Sequence, residues 1–424
     1  MRTVLRAHKI RLFPTTEQET YFRKAAGTAR FAYNWGLAQV KQALDAKSKA
    51  PDWRELKRQL NSLKPSEFPW MYEVTKCAPE AALADLGSAL ASFWASKKGK
   101  RRGRKVGFPQ FKKKNKSKDK FYLANDQFAV EDGFIRLPHL GAVALSEPLR
   151  FAGKIMGATI SRTADHWFVS IQVKVEHIPA PHQSHVRAGV DLGLKTAVAL
   201  STGKTMKAPA PLKQRLKALG RANRRLHRRQ PGSANRRKAA QQVARIHERV
   251  ANVRQDWLHK TTTLLARRCS FVAIEDLNVA GMLRNERLSR AISDVGFGEL
   301  RRQLGYKVPA HGGTLVIVDR FYPSSRTCRK CQRVKEMPLS EWSGEALREY
   351  RCECGHRECR DLNAARNLLH EATRTVGRTG THACGPFAST PKRRRFGASK
   401  RDEAGSPGSD AGHSNNPVNL CSAC

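Results

Sequence analysis

The sequence predicts an α+β chain of several domains: a small β-barrel split by an inserted helical lobe, then an α/β domain with a cysteine-rich insertion. Three observations predict it. Between Phe121 and Val175 the pattern is strand-like, most plainly where Val169, Ile171, Val173 and Val175 alternate with Ser170, Gln172 and Lys174. Between Thr16 and Phe93 apolar residues recur at helical spacing. Beyond His185, short apolar runs close on acidic residues and are separated by long helical stretches.

Taken in order, Val4 to Leu12 reads as a strand stopped by Pro14, with the character to join the later sheet. That pairing makes the helices between them an insertion into the barrel. Thr16 and Glu19 have the spacing of a capping box for the first helix. Its Tyr21, Phe22, Phe31, Tyr33 and Trp35 lie among Arg23, Lys24 and Arg30. Such mixtures can stack on nucleotides, but most of these rings are assigned to the core. Leu83, Leu86, Leu90 and Phe93 form a packing stripe. The run from Lys97 to Lys105, with Lys100, Arg101 and Arg102 at its centre, reads as a flexible loop beside a nucleic-acid backbone. Gly133 and the pair Asp165-His166 mark turns in the sheet that follows.

In the second half three acids stand at element boundaries. Asp191 ends the run Ala188-Gly189-Val190-Asp191, Glu275 ends Phe271-Val272-Ala273-Ile274-Glu275, and Asp361 opens a helix through Leu368 and Leu369. Each alone is an ordinary turn or cap residue. Jointly, two strand ends and a helix start can bring three carboxylates together, the arrangement a nuclease of the RNase H type requires. Hard oxygen ligands suit magnesium, and two ions about 3.5 to 4 Å apart stabilise both the attacking and the leaving oxygen of a phosphodiester. Asp276 is expected to point away from Glu275 along the strand. Asp294, in a segment from Arg284 to Val308 expected to form a mobile stretch over the site, is a candidate extra carboxylate but reads first as a helix cap.

The ten cysteines include two close pairs, Cys328 with Cys331 and Cys352 with Cys354, some twenty residues apart. Pairs joined by a loop of that kind suit a tetrahedral structural zinc site. The C-x-C spacing of the second pair is short, which leaves His356 or Cys359 as alternatives to Cys352. Cys77, Cys269 and Cys384 read as plain thiols, and Cys421 and Cys424 fall in a tail expected to lack structure.

With 79 Lys and Arg against 36 Asp and Glu, the formal net charge is +43. Such a chain condenses onto a polyanion with strong salt dependence. A membrane surface is the rival partner, but no apolar run is long enough to span a bilayer and the first residues resemble no secretory signal. The reading is a cytoplasmic protein. Its most basic stretch is helical, Lys213 to Arg254, broken near Pro231-Gly232-Ser233. Arg221, Arg224, Arg225, Arg228 and Arg229 fall close to one face, with few acids to pair them. A polyanion partner explains this better than a solvated surface.

These motifs together resemble the TnpB family, transposon-encoded RNA-guided nucleases related to type V CRISPR effectors. The resemblance rests on Val190-Asp191-Leu192-Gly193, Ile274-Glu275-Asp276-Leu277, Pro323-Ser324-Ser325-Arg326-Thr327-Cys328, and Cys354-Gly355 followed by Arg360-Asp361-Leu362-Asn363-Ala364-Ala365. It extends to Lys9-Ile10-Arg11-Leu12-Phe13-Pro14-Thr15 and Gly107-Phe108-Pro109-Gln110-Phe111-Lys112, and so covers all but the last forty or so residues. It implies a wedge barrel (1–13 and 119–182), a recognition lobe (14–118), a RuvC-like nuclease domain (183–320 and 361–385), a zinc insertion (321–360) and a basic tail (386–424). It also implies an RNA-guided DNA endonuclease of prokaryotic, nucleoid-associated setting, with Asp191, Glu275 and Asp361 holding two magnesium ions, and Cys328, Cys331, Cys352 and Cys354 holding zinc. The implied partners are a guide RNA from the transposon end and double-stranded target DNA, with no membrane and no small-molecule substrate. The arginine-rich stretch is similar to the bridging helix of related effectors. Two other classes, a catalytically silent guided repressor and an unguided transposase or resolvase, share parts of this pattern.

Overall fold

The computed structural model describes residues 2–336 and 349–379, apart from residues 102, 115, 139, 178 and 179. Arg102, Cys384 and the whole basic tail therefore lie outside the described residues. The first half is built on seven antiparallel strands. They are β1 (Arg2–Phe13), β2 (Lys120–Ala124), β3 (Ala129–Glu131), β4 (Phe134–Leu137), β5 (Gly141–Leu145), β6 (Lys154–Thr163) and β7 (His166–His177), in the order β2-β6-β7-β1-β5-β4-β3. The first strand runs antiparallel to β7 from Arg2↔His177 to Leu12↔Trp167. Period-two burial sets that register: Ile10 and Leu12 turn inward beside Val169, Ile171 and Val173.

Three helices stand between β1 and β2: α1 (Thr16–Asp45), α2 (Trp53–Leu63) and α3 (Cys77–Lys97). They share one core with the sheet, where Phe22 of α1 meets Trp167 at 5.2 Å between ring centroids and Phe121 at 5.8 Å. The expected barrel does not close. Its edges are β2 and the three-residue β3, and α1 and α3 pack beside β2, so helices cover the edge that a closing strand would pair. The capping box also falls one residue earlier than expected. Thr15 is in extended backbone and exchanges hydrogen bonds with Gln18, while Glu19 accepts from Trp167 Nε1 at 3.3 Å and pairs with Arg23. The β6–β7 turn is Ala164-Asp165, with Ala164 in the left-handed region, and His166 already opens β7.

The second half is a five-stranded sheet of order β10-β9-β8-β11-β12. Its strands are β8 (Arg187–Asp191), β9 (Val198–Leu200), β10 (Thr205–Met206), β11 (Phe271–Glu275) and β12 (Thr314–Val318). The central β11 is parallel to β8 and to β12, whereas β9 and β10 are antiparallel. Helices α4 (Pro211–His227) and α5 (Ala234–Arg268) precede β11, and α6 (Val279–Met282), α7 (Ser289–Val295) and α8 (Phe297–Ala310) follow it. Ser233 caps α5 by accepting from the Arg236 amide, which explains the break after Pro231. A hairpin of β13 (Glu349–Arg351) and β14 (Arg357–Cys359) leads into α9 (Arg360–Thr379).

Both faces of this sheet are covered. Ala188, Val190, Val272 and Ile274 face α5 and α8, in a core with Leu258, Leu265, Leu300 and Leu304. Phe271 and Ala273 face the other way, towards Leu368 and Ala372 of α9. Among the described residues no helix is long and apolar enough to cross a membrane.

Candidate nuclease and metal centres

Strand parity places the acids. Since Ala188 and Val190 face α5, Gly189 and Asp191 face α9; since Phe271 and Ala273 face α9, so does Glu275. The parallel register pairs Ile274 with Val190, so Asp191 and Glu275 end adjacent strands at the same edge. Helix α9 then crosses β8 so closely that a Cβ on Gly189 would lie 1.8 Å from the Ala365 carbonyl oxygen. Asp361 stands one helical turn before Ala365, and thus over the end of β8. The C-terminal edge of parallel strands is where open α/β sheets bind ligands.

Electrostatics report the same convergence. Asp191 is raised well above the usual carboxylate range, first by burial, then by its hydrogen bond with Glu275 and the charges of Glu275 and Asp361; Arg360 opposes them only in part. Arg360 also lies 3.7 Å from Asp361. Carboxylates crowded in this way need a proton or a cation. The donor set, three oxygen-bearing groups from three elements, suits a hard divalent ion.

The neighbouring acids serve elsewhere. Asp276 is held by Arg301 and by Arg320, the latter at 2.8 Å. Asp294, 4% exposed, caps a helix distant in sequence: its carboxylate accepts the Leu212 and Lys213 amides at 3.0–3.1 Å. That cap replaces a local one, because Ala210 at the start of α4 is left-handed and offers no side-chain oxygen. Sequence reading placed Asp165 and His166 at a turn but missed Glu248 and the link by which these residues join the β6–β7 turn to α5. His166 lies 3.0 Å from Glu248, and Arg245 lies 2.5 Å from Asp165.

Near α9 the four cysteine sulfurs of Cys328, Cys331, Cys352 and Cys354 all lie within 4.8 Å of one another. Cys328 and Cys354 are 3.7 Å apart, and Cys331 and Cys352 are 3.6 Å apart. A tetrahedral ion with bonds of about 2.3 Å to sulfur sets its ligands roughly 3.8 Å apart. The cluster therefore fits zinc. Cys352 takes its place in it despite the short spacing, while His356 pairs with Glu358 and Cys359 is exposed. The Arg333 amide lowers the Cys331 thiol to about 7, whereas burial raises the Cys328 thiol to about 12, so that metal binding there displaces a proton.

The cysteine turn is fastened to α9 by two buried asparagines four residues apart. Asn363 Nδ2 donates to the Thr327 carbonyl and its Oδ1 accepts from the Arg329 amide, at 2.8 and 3.0 Å. Asn367 donates to the carbonyls of Ser324 and Thr327 at 2.9 and 2.7 Å. Their helical spacing was the available signal. Arg221, Arg224, Arg225, Arg228 and Arg229 are exposed along and just beyond α4, and Lys100 and Arg101 are exposed after α3.

Comparisons with known proteins agree on kinship. The family described as "Probable transposase" matches residues 170–286, the "Cas12f1-like, TNB domain" family matches 297–368, and a "Helix-turn-helix domain" family matches 1–49. Over that last stretch the structure has β1 and the single long helix α1. A Streptomyces pristinaespiralis protein named "Putative RNA-guided DNA endonuclease" is 35% identical over 87% of this chain and 90% of its own. Its Escherichia coli K12 counterpart InsQ, similarly named, is 30% identical over 86% and 92%. Among solved structures, the Cas12f1 chain of a complex with sgRNA and target DNA superposes with a TM-score of 0.51 at 13% identity, over 87% of this chain and 99% of that one. That likeness establishes a shared mixed α/β architecture. By sequence kinship along most of its length, the chain belongs to the TnpB family.

Proposed function

We propose that this chain is an RNA-guided, metal-dependent DNA endonuclease encoded by a transposable element and acting in the prokaryotic cytoplasm. The observation that supports the reading is that Asp191 and Glu275 end the adjacent parallel strands β8 and β11 while Asp361 opens the helix that crosses β8. On this reading the second half is a RuvC-like nuclease domain with a zinc insertion at 321–360, and the first half combines a wedge sheet with a recognition lobe. The three carboxylates would hold two magnesium ions, and those ions would activate water and stabilise the leaving oxygen. Asp191 is only partly exposed, which limits competing solvent, α9 lies against β8 and would hold Asp361 there, and Arg301 and Arg320 keep Asp276 out of the ligand set. No covalent intermediate is needed. Cys328, Cys331, Cys352 and Cys354 would hold zinc and, through Asn363 and Asn367, steady the helix that presents Asp361.

The exposed arginines of α4, with Lys100, Arg101 and Arg102, would contact the backbones of a guide RNA and target duplex. Base pairing then reads the target while the protein reads a short flanking motif. The test is to express the protein with its native flanking DNA and sequence the RNA that survives nuclease treatment of the purified complex. A discrete RNA ending in a variable segment is expected. Random host RNA alone would overturn the guided reading.

A further inference from the structure

We infer that Phe321 is a stacking platform for one base of the single DNA strand at the carboxylate site; this rests on the nuclease reading above. Phe321 is 87% exposed, the most exposed large apolar residue among those described. Burying a phenylalanine stabilises a protein by about 1.5–3 kcal/mol, and single exposed apolar residues are common enough to need no account of their own. Phe321 differs from the other exposed rings in how it is held and where.

Every neighbour of Phe321 is anchored. Its own amide donates to Asp319 Oδ1 at 2.8 Å, and the Tyr322 amide donates to the Asp319 carbonyl at 3.1 Å. Arg320 reaches Asp276 through Nε to the carbonyl at 3.0 Å and through its guanidinium to the carboxylate at 2.8 Å. Tyr322 packs on the core beneath α9. The ring is thus held out on a fixed turn that could have buried it and instead buries its neighbour. The turn starts at the end of β12, whose Val318 is in register with Glu275, and it is tied to Asp276, the residue after that acid. Phe321 therefore leaves the sheet at the edge where the carboxylates gather.

Charge identifies the occupant. Arg326, Arg329, Lys330, Arg333 and Lys335 follow Phe321 in the chain, and no acid stands between Phe321 and Lys335. A rigid aromatic among cations suits an unpaired base and its phosphates, whereas an apolar protein partner would gain little from such a rim. A pre-set platform would hold one nucleotide in place while the adjacent phosphodiester lies at the carboxylates.

The test compares guide-loaded wild type with Phe321→Ala, Phe321→Leu and Phe321→Trp on a single-stranded matched DNA carrying 2-aminopurine at successive positions. One position is expected to be quenched in wild type and Phe321→Trp and not in the other two. KM for cleavage should rise about 5- to 100-fold in Phe321→Ala, with guide RNA binding and Tm unchanged. An unchanged KM in Phe321→Ala, or Phe321→Leu matching wild type, overturns the inference, as does loss of self-association in Phe321→Ala in place of loss of DNA affinity. If wild type binds the strand but does not cut it, the nuclease reading fails while the quenching still decides the stacking. If wild type binds no strand, both fail.

Discussion

Asp191 is the residue at which fold stability and the proposed chemistry oppose each other. Its raised carboxyl means that the metal-free fold favours the protonated form. Below the usual carboxylate range both folded and unfolded chains are protonated and nothing is lost. As pH rises from that range towards the higher folded value, the unfolded chain ionises first, and stability falls. Asp191→Asn should therefore raise the Tm of metal-free protein at neutral pH by about 2–4 °C and abolish the Tm gain that magnesium gives wild type. Calorimetry with and without magnesium checks this, and a lower Tm in the variant would mean that the carboxylates are not crowded. The placement of the three acids at element ends was legible because each closes or opens an apolar run. Phe321 was not, since no local pattern separates an exposed aromatic from a buried one.

Among the elements, α9 does most to assemble the site, and its seat depends on one missing side chain. Gly189→Ala would drive a methyl group into the Ala365 carbonyl, and is expected to cost about 1–3 kcal/mol or more and to displace Asp361. Gly298→Ala in α8 meets nothing within 4 Å and should be neutral or slightly stabilising. Thermal denaturation of the pair tests the close approach, and equal Tm values would contradict it. The same N-terminal end of α9 bears on the cysteine cluster through Asn363 and Asn367. Cys331→Ser should lose bound zinc while Cys269→Ser, in the α5 core, keeps it; zinc content by emission spectroscopy decides, and equal content would refute the cluster as a metal site. Asn363→Ala removes a buried partner of two backbone groups and should cost about 1–3 kcal/mol. The cysteine pairs were legible from spacing. The cap that Asp294 gives α4 across more than eighty residues was not, because local sequence names a cap for the helix it adjoins.

For the whole molecule, the sequence made plain the two sheets and the insertion of helices after the first strand, because periods of two and 3.6 record which face is buried. It did not reveal that the first sheet stays open. Closure depends on what lies beside an edge, and here helices α1 and α3, themselves distant in sequence from β2, occupy that place. Nor did charge alone distinguish Arg221, Arg224 and Arg225 of α4, which stay exposed, from Arg254, which pairs with Asp294 inside the fold. The high net charge should still make nucleic-acid affinity fall steeply with salt. The most direct test of the central claim is cleavage of guide-matched double-stranded DNA, with and without magnesium, by wild type and by Asp191→Ala, Glu275→Ala and Asp361→Ala, each loaded with the same guide RNA. The account predicts magnesium-dependent cutting by wild type and at least a hundredfold loss in every variant with RNA still bound; cutting retained by any of the three would contradict it.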